Sequence, residues 1–206
     1  MVRVLAVADE EVLTYEDRAR SLEVDLVVAV GDLPWDYLER LVSIIGAPAV
    51  YVPGNHEPQA RVCAPEGMVS ADDRVIDVAG LRIAGLGGCV TYNGGPHQFT
   101  QAEYAERADR LVEQAGPDGV DLLLTHAPPS GLGDEPDDPC HVGIEALHPL
   151  LDSLTPAWHL HGHVHPFGLA KADRHVGATT IRNVIPWTVL ELEPRVLLVA
   201  SEARSW

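Results

Sequence analysis

The residues in this chain best suited to chemistry form the run His161-Gly162-His163-Val164-His165. The apolar lead Ala157-Trp158-His159-Leu160 precedes it and Pro166 follows, so the pattern predicts a buried strand opening into a loop. In extended chain, residues two apart point the same way, which would set the His163 and His165 imidazoles side by side, roughly 6–7 Å apart at Cα. Each would then serve one of two neighbouring cations, since two-metal hydrolytic sites hold their ions about 3.5–4 Å apart. A histidine-rich surface loop, or satisfied core histidines, would look the same locally. The decision rests on what other segments bring to the same place.

Four other segments carry ligand types: Asp9-Glu10-Glu11, Gly31-Asp32, Gly54-Asn55-His56-Glu57 and His126. They follow the apolar runs Val2–Ala8, Asp25–Val30, Pro48–Val52 and Val120–Leu124, which are expected for strands covered on both faces. Open α/β sheets gather their functional groups at the carboxyl ends of such strands. Taken singly, Asp9 and Glu11 read equally as a solvated loop, Gly31-Asp32 and Gly54-Asn55 as turns, and His126 as a turn neighbour of Pro128. Those separate readings leave unexplained why nearly every predicted buried strand ends in a metal-ligand type.

The remaining elements supply a frame for that edge. Helices are predicted over Tyr15–Leu22, over Trp35–Ile45, where Leu38, Leu41, Val42 and Ile45 recur at helical spacing, and over Ile144–Leu154. Another covers Gln101–Gln114, with Thr100 as cap and Glu103 three residues on. Arg74–Val78 and Leu81–Leu86 read as an antiparallel pair about Ala79-Gly80, and Thr179–Val184, Thr188–Glu193 and Val196–Ala200 as closing strands. Glycines at 85, 87 and 88, and at 94 and 95, imply close backbone approach or a mobile loop. Ser130–His141 is an acidic loop. No repeat or linker divides residues 1–206, so one domain is expected, able to bury about 70% of the surface its unfolded chain exposes.

Composition narrows the function. A net charge of −17 repels extended nucleic acid and attracts divalent cations, while leaving a small phosphate compound possible. No apolar run is long enough to span a membrane and the first residues read as a strand, so a cytoplasmic protein without membrane contact is expected. Cys63, Cys89 and Cys140, odd in number and scattered, read as reduced thiols.

In order and spacing these segments resemble the calcineurin-like metallophosphoesterase family, whose pattern is Asp-x-His, Gly-Asp, Gly-Asn-His-Asp/Glu, a lone His and Gly-His-x-His. Gly-Asn-His-Glu and Gly-His-Val-His carry most of the likeness. The resemblance implies an α/β (α+β) fold, a four-layer α-β-β-α sandwich with two mixed sheets, in the small single-domain branch that includes nucleotide phosphodiesterases. It implies two divalent metal ions, Mn foremost with Fe, Zn, Ni or Mg as alternatives. Asp9, Glu11, Asp32 and His165 would hold the first and Asp32, Asn55, His126 and His163 the second. A metal-bridging hydroxide would be the nucleophile, with Asp32 and His56 in the catalytic set and Glu57 orienting His56. Asn55, His56, Asn93 and His141 are candidates to contact the substrate.

The departure from the family pattern is Glu11, where His is usual. With Glu11 as a ligand, two divalent ions would be formally balanced by Asp9, Glu11, Asp32 and one hydroxide. That balance favours harder ions and a singly charged phosphodiester, of nucleotide size or a cyclic nucleotide. The alternatives are a phosphomonoesterase, including a protein phosphatase, and a non-catalytic scaffold with a degraded first metal site.

Overall fold

Alternation along β1 (Val2–Val7) generates the layers: Val4 and Ala6 enter one core cluster, Leu5 and Val7 another. The same division recurs in β2 (Leu26–Ala29), where Leu26 and Val28 face the first cluster and Val27 and Ala29 the second. A strand with two buried faces has no solvent side, which is why these sequences read as nearly unbroken apolar residues, with Arg3 of β1 the exposed exception. In this computed structural model the described residues are 1–12, 19–57, 64–167 and 172–195. The predicted strand Val196–Ala200 and residues 15–18 of the predicted helix Tyr15–Leu22 lie outside them.

Two mixed sheets face each other across the first cluster. One has the order β13-β1-β2-β3-β4, with β3 at Ala49–Tyr51, β4 at Val69–Ser70 and β13 at Trp187–Leu192. Its members run parallel except β13, which pairs antiparallel with β1. The other has the order β11-β12-β10-β9-β6-β5. Its four central strands, β12 (Thr179–Asn183), β10 (Trp158–His161), β9 (Leu122–Thr125) and β6 (Leu81–Leu86), are mutually parallel. The edge strands β5 (Arg74–Val78) and β11 (Arg174–Val176) are antiparallel, and β5 with β6 is the expected hairpin. A short parallel pair, β7 (Cys89–Val90) and β8 (Gln98–Phe99), sits apart from both.

Helices close the outer faces and complete the four layers. Helix α1 (Trp35–Ile45) lays Tyr37, Leu38 and Leu41 on the first sheet, each fully buried aliphatic contributing about 1.5–3 kcal/mol. It ends at Gly46, whose φ of 72° is the left-handed turn that lets its N–H reach Val42 O at 2.8 Å. Helices α2 (Gln101–Ala115) and α3 (Leu147–Leu154) cover the second sheet, meeting Ala84, Leu86, Leu123 and Ile181. The Thr100–Glu103 capping box forms as predicted. Helix α3 begins later than Ile144 because Ile144 is used elsewhere: its N–H donates to Pro128 O and its carbonyl accepts from Ser130. Among the described residues no helix is long and apolar enough to cross a membrane. Cys89 and Cys140 are free thiols, and Cys63 lies outside the described residues.

Parallel strands in both sheets discharge at one edge. The ends of β1, β2, β3, β9 and β10 deliver Asp9, Asp32, Asn55, His126 and His163 to that edge. Gly162 N to His126 O at 3.0 Å extends the β10–β9 ladder there, and His163 N to the Asp9 carboxylate at 3.1 Å ties the two sheets together.

Candidate metal centre

Backbone conformation is the first sign that this edge is built for something other than stability. Asp9, Asp32 and His163 have φ of 62°, 55° and 67°. Left-handed conformations at non-glycine residues cost about 1–3 kcal/mol where sterically strained, and they concentrate at functional sites. His163 therefore does not continue as extended chain. The expectation that His163 and His165 would point the same way is corrected here, because the left-handed turn aims them at different carboxylates.

The motif glycines explain themselves sterically. A Cβ at Gly54 would overlap the Asp32 carboxylate and its backbone nitrogen, and one at Gly162 would overlap Asp9. Gly54→Ala is accordingly expected to push the Asp32 loop out of place, at about 1–3 kcal/mol in stability and about 10–100-fold in metal affinity. Denaturant melts and metal titration would check this, and wild-type metal affinity in the variant would refute it.

Four ligand-type atoms converge beside β2. His126 Nε2 lies 3.3 Å from Asp32 Oδ2, 3.1 Å from Asn55 Oδ1 and 3.1 Å from His163 Nδ1. The side chains of Asp32, His126 and His163 form a group able to hold a cation, all their ligand atoms lying within 4.8 Å of one another. The ring nitrogen of each histidine facing away from the cage meets a carbonyl: His126 Nδ1 is 2.8 Å from Val30 O, and His163 Nε2 is 2.8 Å from Cys140 O. With N–H donated to those carbonyls, each neutral ring would turn a lone pair toward the cage, the arrangement that orients imidazole ligands in metal sites. Residues and donor set thus fit a divalent ion.

A second grouping adjoins it. His165 Nε2 is 3.8 Å from Asp9 Oδ1, and the other ring nitrogen is 3.3 Å from Glu10 Oε1. Glu11 is exposed and is not among the residues lining the adjoining cavity, whereas Asp9, Asp32, Asn55, His56, His163 and His165 are. Glu10, and not Glu11, meets His165, although the resemblance implied Glu11 as a ligand to the first metal. The charge balance that counted Glu11 as a ligand does not apply to this geometry.

A family model described as calcineurin-like phosphoesterase matches residues 7–167. The chain belongs to that family. UPF0046 protein T07D4.2 of Caenorhabditis elegans is 32% identical over 97 residues, which are 46% of this chain and 23% of that protein. The match thus spans about a quarter of the relative. A solved crystal structure superposes over 93% of this chain and 98% of its own, with a TM-score of 0.70 at 16% identity. GAP50 of Plasmodium, described as the anchor in the inner membrane complex, gives 0.50 at 12% identity over 87% of this chain and 70% of its own. These two likenesses show the fold.

Several features of the cavity had no signature in sequence. Tyr92 lines the cavity and its hydroxyl accepts from Asn55 Nδ2 at 3.3 Å, while neighbouring Asn93 spends its side chain holding Gly95 N and Gln98. Asn93 braces its loop and is not among the residues lining the cavity. His141 does reach the cavity, its ring 5.1 Å from that of His163 and its Nδ1 2.8 Å from Asp138. Glu57 accepts from the backbone N–H groups of Leu33 (3.4 Å) and Gly54, so it ties two motif loops together and does not orient the His56 imidazole. The fully buried His159 meets Thr125 Oγ1 at 2.8 Å, a structural role.

Electrostatics follow from this crowding. Burial opposes charge on His126, yet Asp32, Asp9 and Glu57 outweigh it and raise its pKa from 6.5 to about 10. Despite its own burial, Asp32 is held well below the ordinary carboxylate range by that imidazolium. Burial, then the His126 charge, lowers His163 to about 3. Burial raises Asp9 to about 6 and, with Asp32 beside it, Glu57 to about 7.

A pH prediction results. His126, raised in the fold, contributes stability that is full below pH 6.5 and lost as pH rises through about 10. Asp9 and Glu57, raised carboxylates, favour the protonated fold, so stability also falls between about pH 4 and 7. In EDTA the melting temperature should therefore fall from pH 6 to pH 8. Manganese at one fixed concentration, about 100 times its Kd at pH 8, should add about 2.7 kcal/mol there, or about 5–10 °C. That gain should be larger at pH 8 than at pH 6, because binding must displace the His126 proton. Equal gains at both pH values would be incompatible with His126 as a ligand.

Proposed function

We propose that this chain is a metal-dependent phosphodiesterase acting on a nucleotide-sized or cyclic-nucleotide ester. Asp32, Asn55, His126 and His163 would hold one divalent ion and Asp9, Asp32 and His165 the other, with Asp32 shared. Oxygen and imidazole donors without thiolate suit Mn. When bound, the ions supply Lewis acidity, neutralising phosphoryl oxygens and lowering the pKa of water toward neutrality.

The protein supplies positioning and proton transfer. The backbone N–H of His56 donates to Asp32 Oδ1 at 2.9 Å, which fixes the loop, while the imidazole is largely exposed with Nε2 3.9 Å from Asp32 Oδ2. From there His56 can deliver a proton to the leaving oxygen of an ester held at the cage. Tyr92 and His141 also line this cavity of about 380 Å³, within the size range of small-ligand sites.

One observation carries the preference for a diester. Among the described residues lining the cavity there is no lysine or arginine, so only histidines and metal would meet the charge of a phosphoryl group. A singly charged diester needs less compensation than a monoester dianion. Assayed side by side with Mn, bis(p-nitrophenyl) phosphate should exceed p-nitrophenyl phosphate in kcat/KM by about 10-fold or more, on the scale of 1.4 kcal/mol per decade. Faster monoester hydrolysis would reverse the assignment, and turnover of neither would favour a non-catalytic scaffold.

A further inference from the structure

A second cavity, of about 390 Å³, opens beside the metal centre and is lined by Asp32, Leu33, Pro34, Trp35, Asp36, His56 and Glu57. It shares Asp32 and His56 with the metal-centre cavity, so a ligand held at the cage can extend past His56 into it. Its far wall is different in kind. Leu33 is buried, Pro34 exposed, and Trp35, at the first turn of α1, is half-buried with part of its ring packed against the α1 core.

Charge limits the occupant. The ionisable groups lining this groove are Asp32, Asp36, His56 and Glu57, three of them acids. A second phosphate would be repelled, whereas a neutral, flat, amino-bearing ring would find an indole face and an exposed Asp36 carboxylate able to accept its N–H groups. We propose that the groove is a nucleobase subsite, with Trp35 as the stacking and specificity residue and Asp36 as acceptor for an exocyclic amine. This deepens the phosphoesterase reading and rests on it for the phosphate end of the ligand. It assigns adenine, cytosine and guanine nucleotides over polyphosphates and plain sugar phosphates.

The test is a binding measurement on the Mn-loaded protein, so it does not depend on turnover. Adenosine 5′-monophosphate, ribose 5-phosphate and inorganic phosphate are titrated calorimetrically, the last reporting the cage alone. The nucleotide should bind at least about 10-fold tighter than ribose 5-phosphate, the range expected for stacking one base on an aromatic ring. Trp35→Leu, which keeps an apolar side chain against the α1 core, should bring that ratio to within about 2-fold of unity, and Trp35→Phe should retain most of it. A folded Trp35→Leu protein with the ratio intact, or equal wild-type affinities for the two ligands, overturns the subsite. Absence of nucleotide binding while phosphate binds also overturns it. Failure of phosphate itself to bind in the presence of Mn would instead count against the phosphoesterase reading, and with it the subsite.

Discussion

Asp32→Asn should lower turnover of bis(p-nitrophenyl) phosphate by on the order of 10³-fold or more at saturating Mn, with the fold retained. The amide keeps an oxygen to accept from His56 N, now at 2.9 Å, so the loop has no steric reason to move. What disappears is the negative charge that both proposed ions share. Losing a single preorganised electrostatic group from an active site costs about 10²–10³-fold, and here the same change also removes a ligand from two cations. The His126 imidazolium loses its main counter-charge as well, and its burial then favours the neutral ring. Calorimetric titration should show weaker metal binding, and circular dichroism an unchanged fold. A variant with more than a tenth of wild-type activity would remove Asp32 from the centre of the mechanism.

Arg107→Ala should be the most damaging substitution outside the metal centre, at about 3–5 kcal/mol and a fall in melting temperature of about 10 °C. Arg107 is 3% exposed and lies on α2. Its guanidinium donates to Asp72 at 2.6 Å, Asp73 at 2.7 Å and Gly87 O at 3.1 Å, and sits 4.0 Å from the centre of the Phe99 ring. Asp72 is raised by its burial, a shift that Arg107 partly offsets, so removing the arginine leaves an acid in low dielectric without its cation. The damage should spread toward the site. Gly87 is followed by Gly88, whose N–H donates to Pro53 O at 2.8 Å, one residue before Gly54-Asn55. In a double-mutant cycle Arg107→Ala and Asp72→Ala should couple by more than about 1 kcal/mol. Additive losses would show that the ion pair is incidental to packing.

How much of this was legible before any coordinates depended on whether a signal lay in side chains or in backbone. Continuous apolar runs located β1, β2 and β3, because burial on both faces leaves no room for alternation, and α1 begins and ends where the spacing of Leu38, Leu41, Val42 and Ile45 set it. The converging residues Asp9, Asp32, Asn55, His126, His163 and His165 were visible as polar types at strand ends. Their partners were not. Val30 and Cys140 contribute carbonyl oxygens, which every residue possesses, so no sequence pattern could single them out. Glu10 and Glu11 are adjacent acids whose directions depend on the left-handed turn at Asp9, a conformation that the sequence does not announce. Arg107 reads as one more charged residue on a helix, and only the placement of Asp72 and Asp73 behind it makes it a buried tie. Trp35 reads as the opening of α1, and only the fold makes it line one groove with His56.

The central claim, that segments distant in sequence form a cage for a pair of cations about Asp32, is tested most directly by crystals grown with Mn and an anomalous difference map. The account predicts two peaks per chain, one among Asp32, Asn55, His126 and His163 and the other among Asp9, Asp32 and His165. Density absent from both positions, or ions bound only to surface acids away from Asp32, would contradict it.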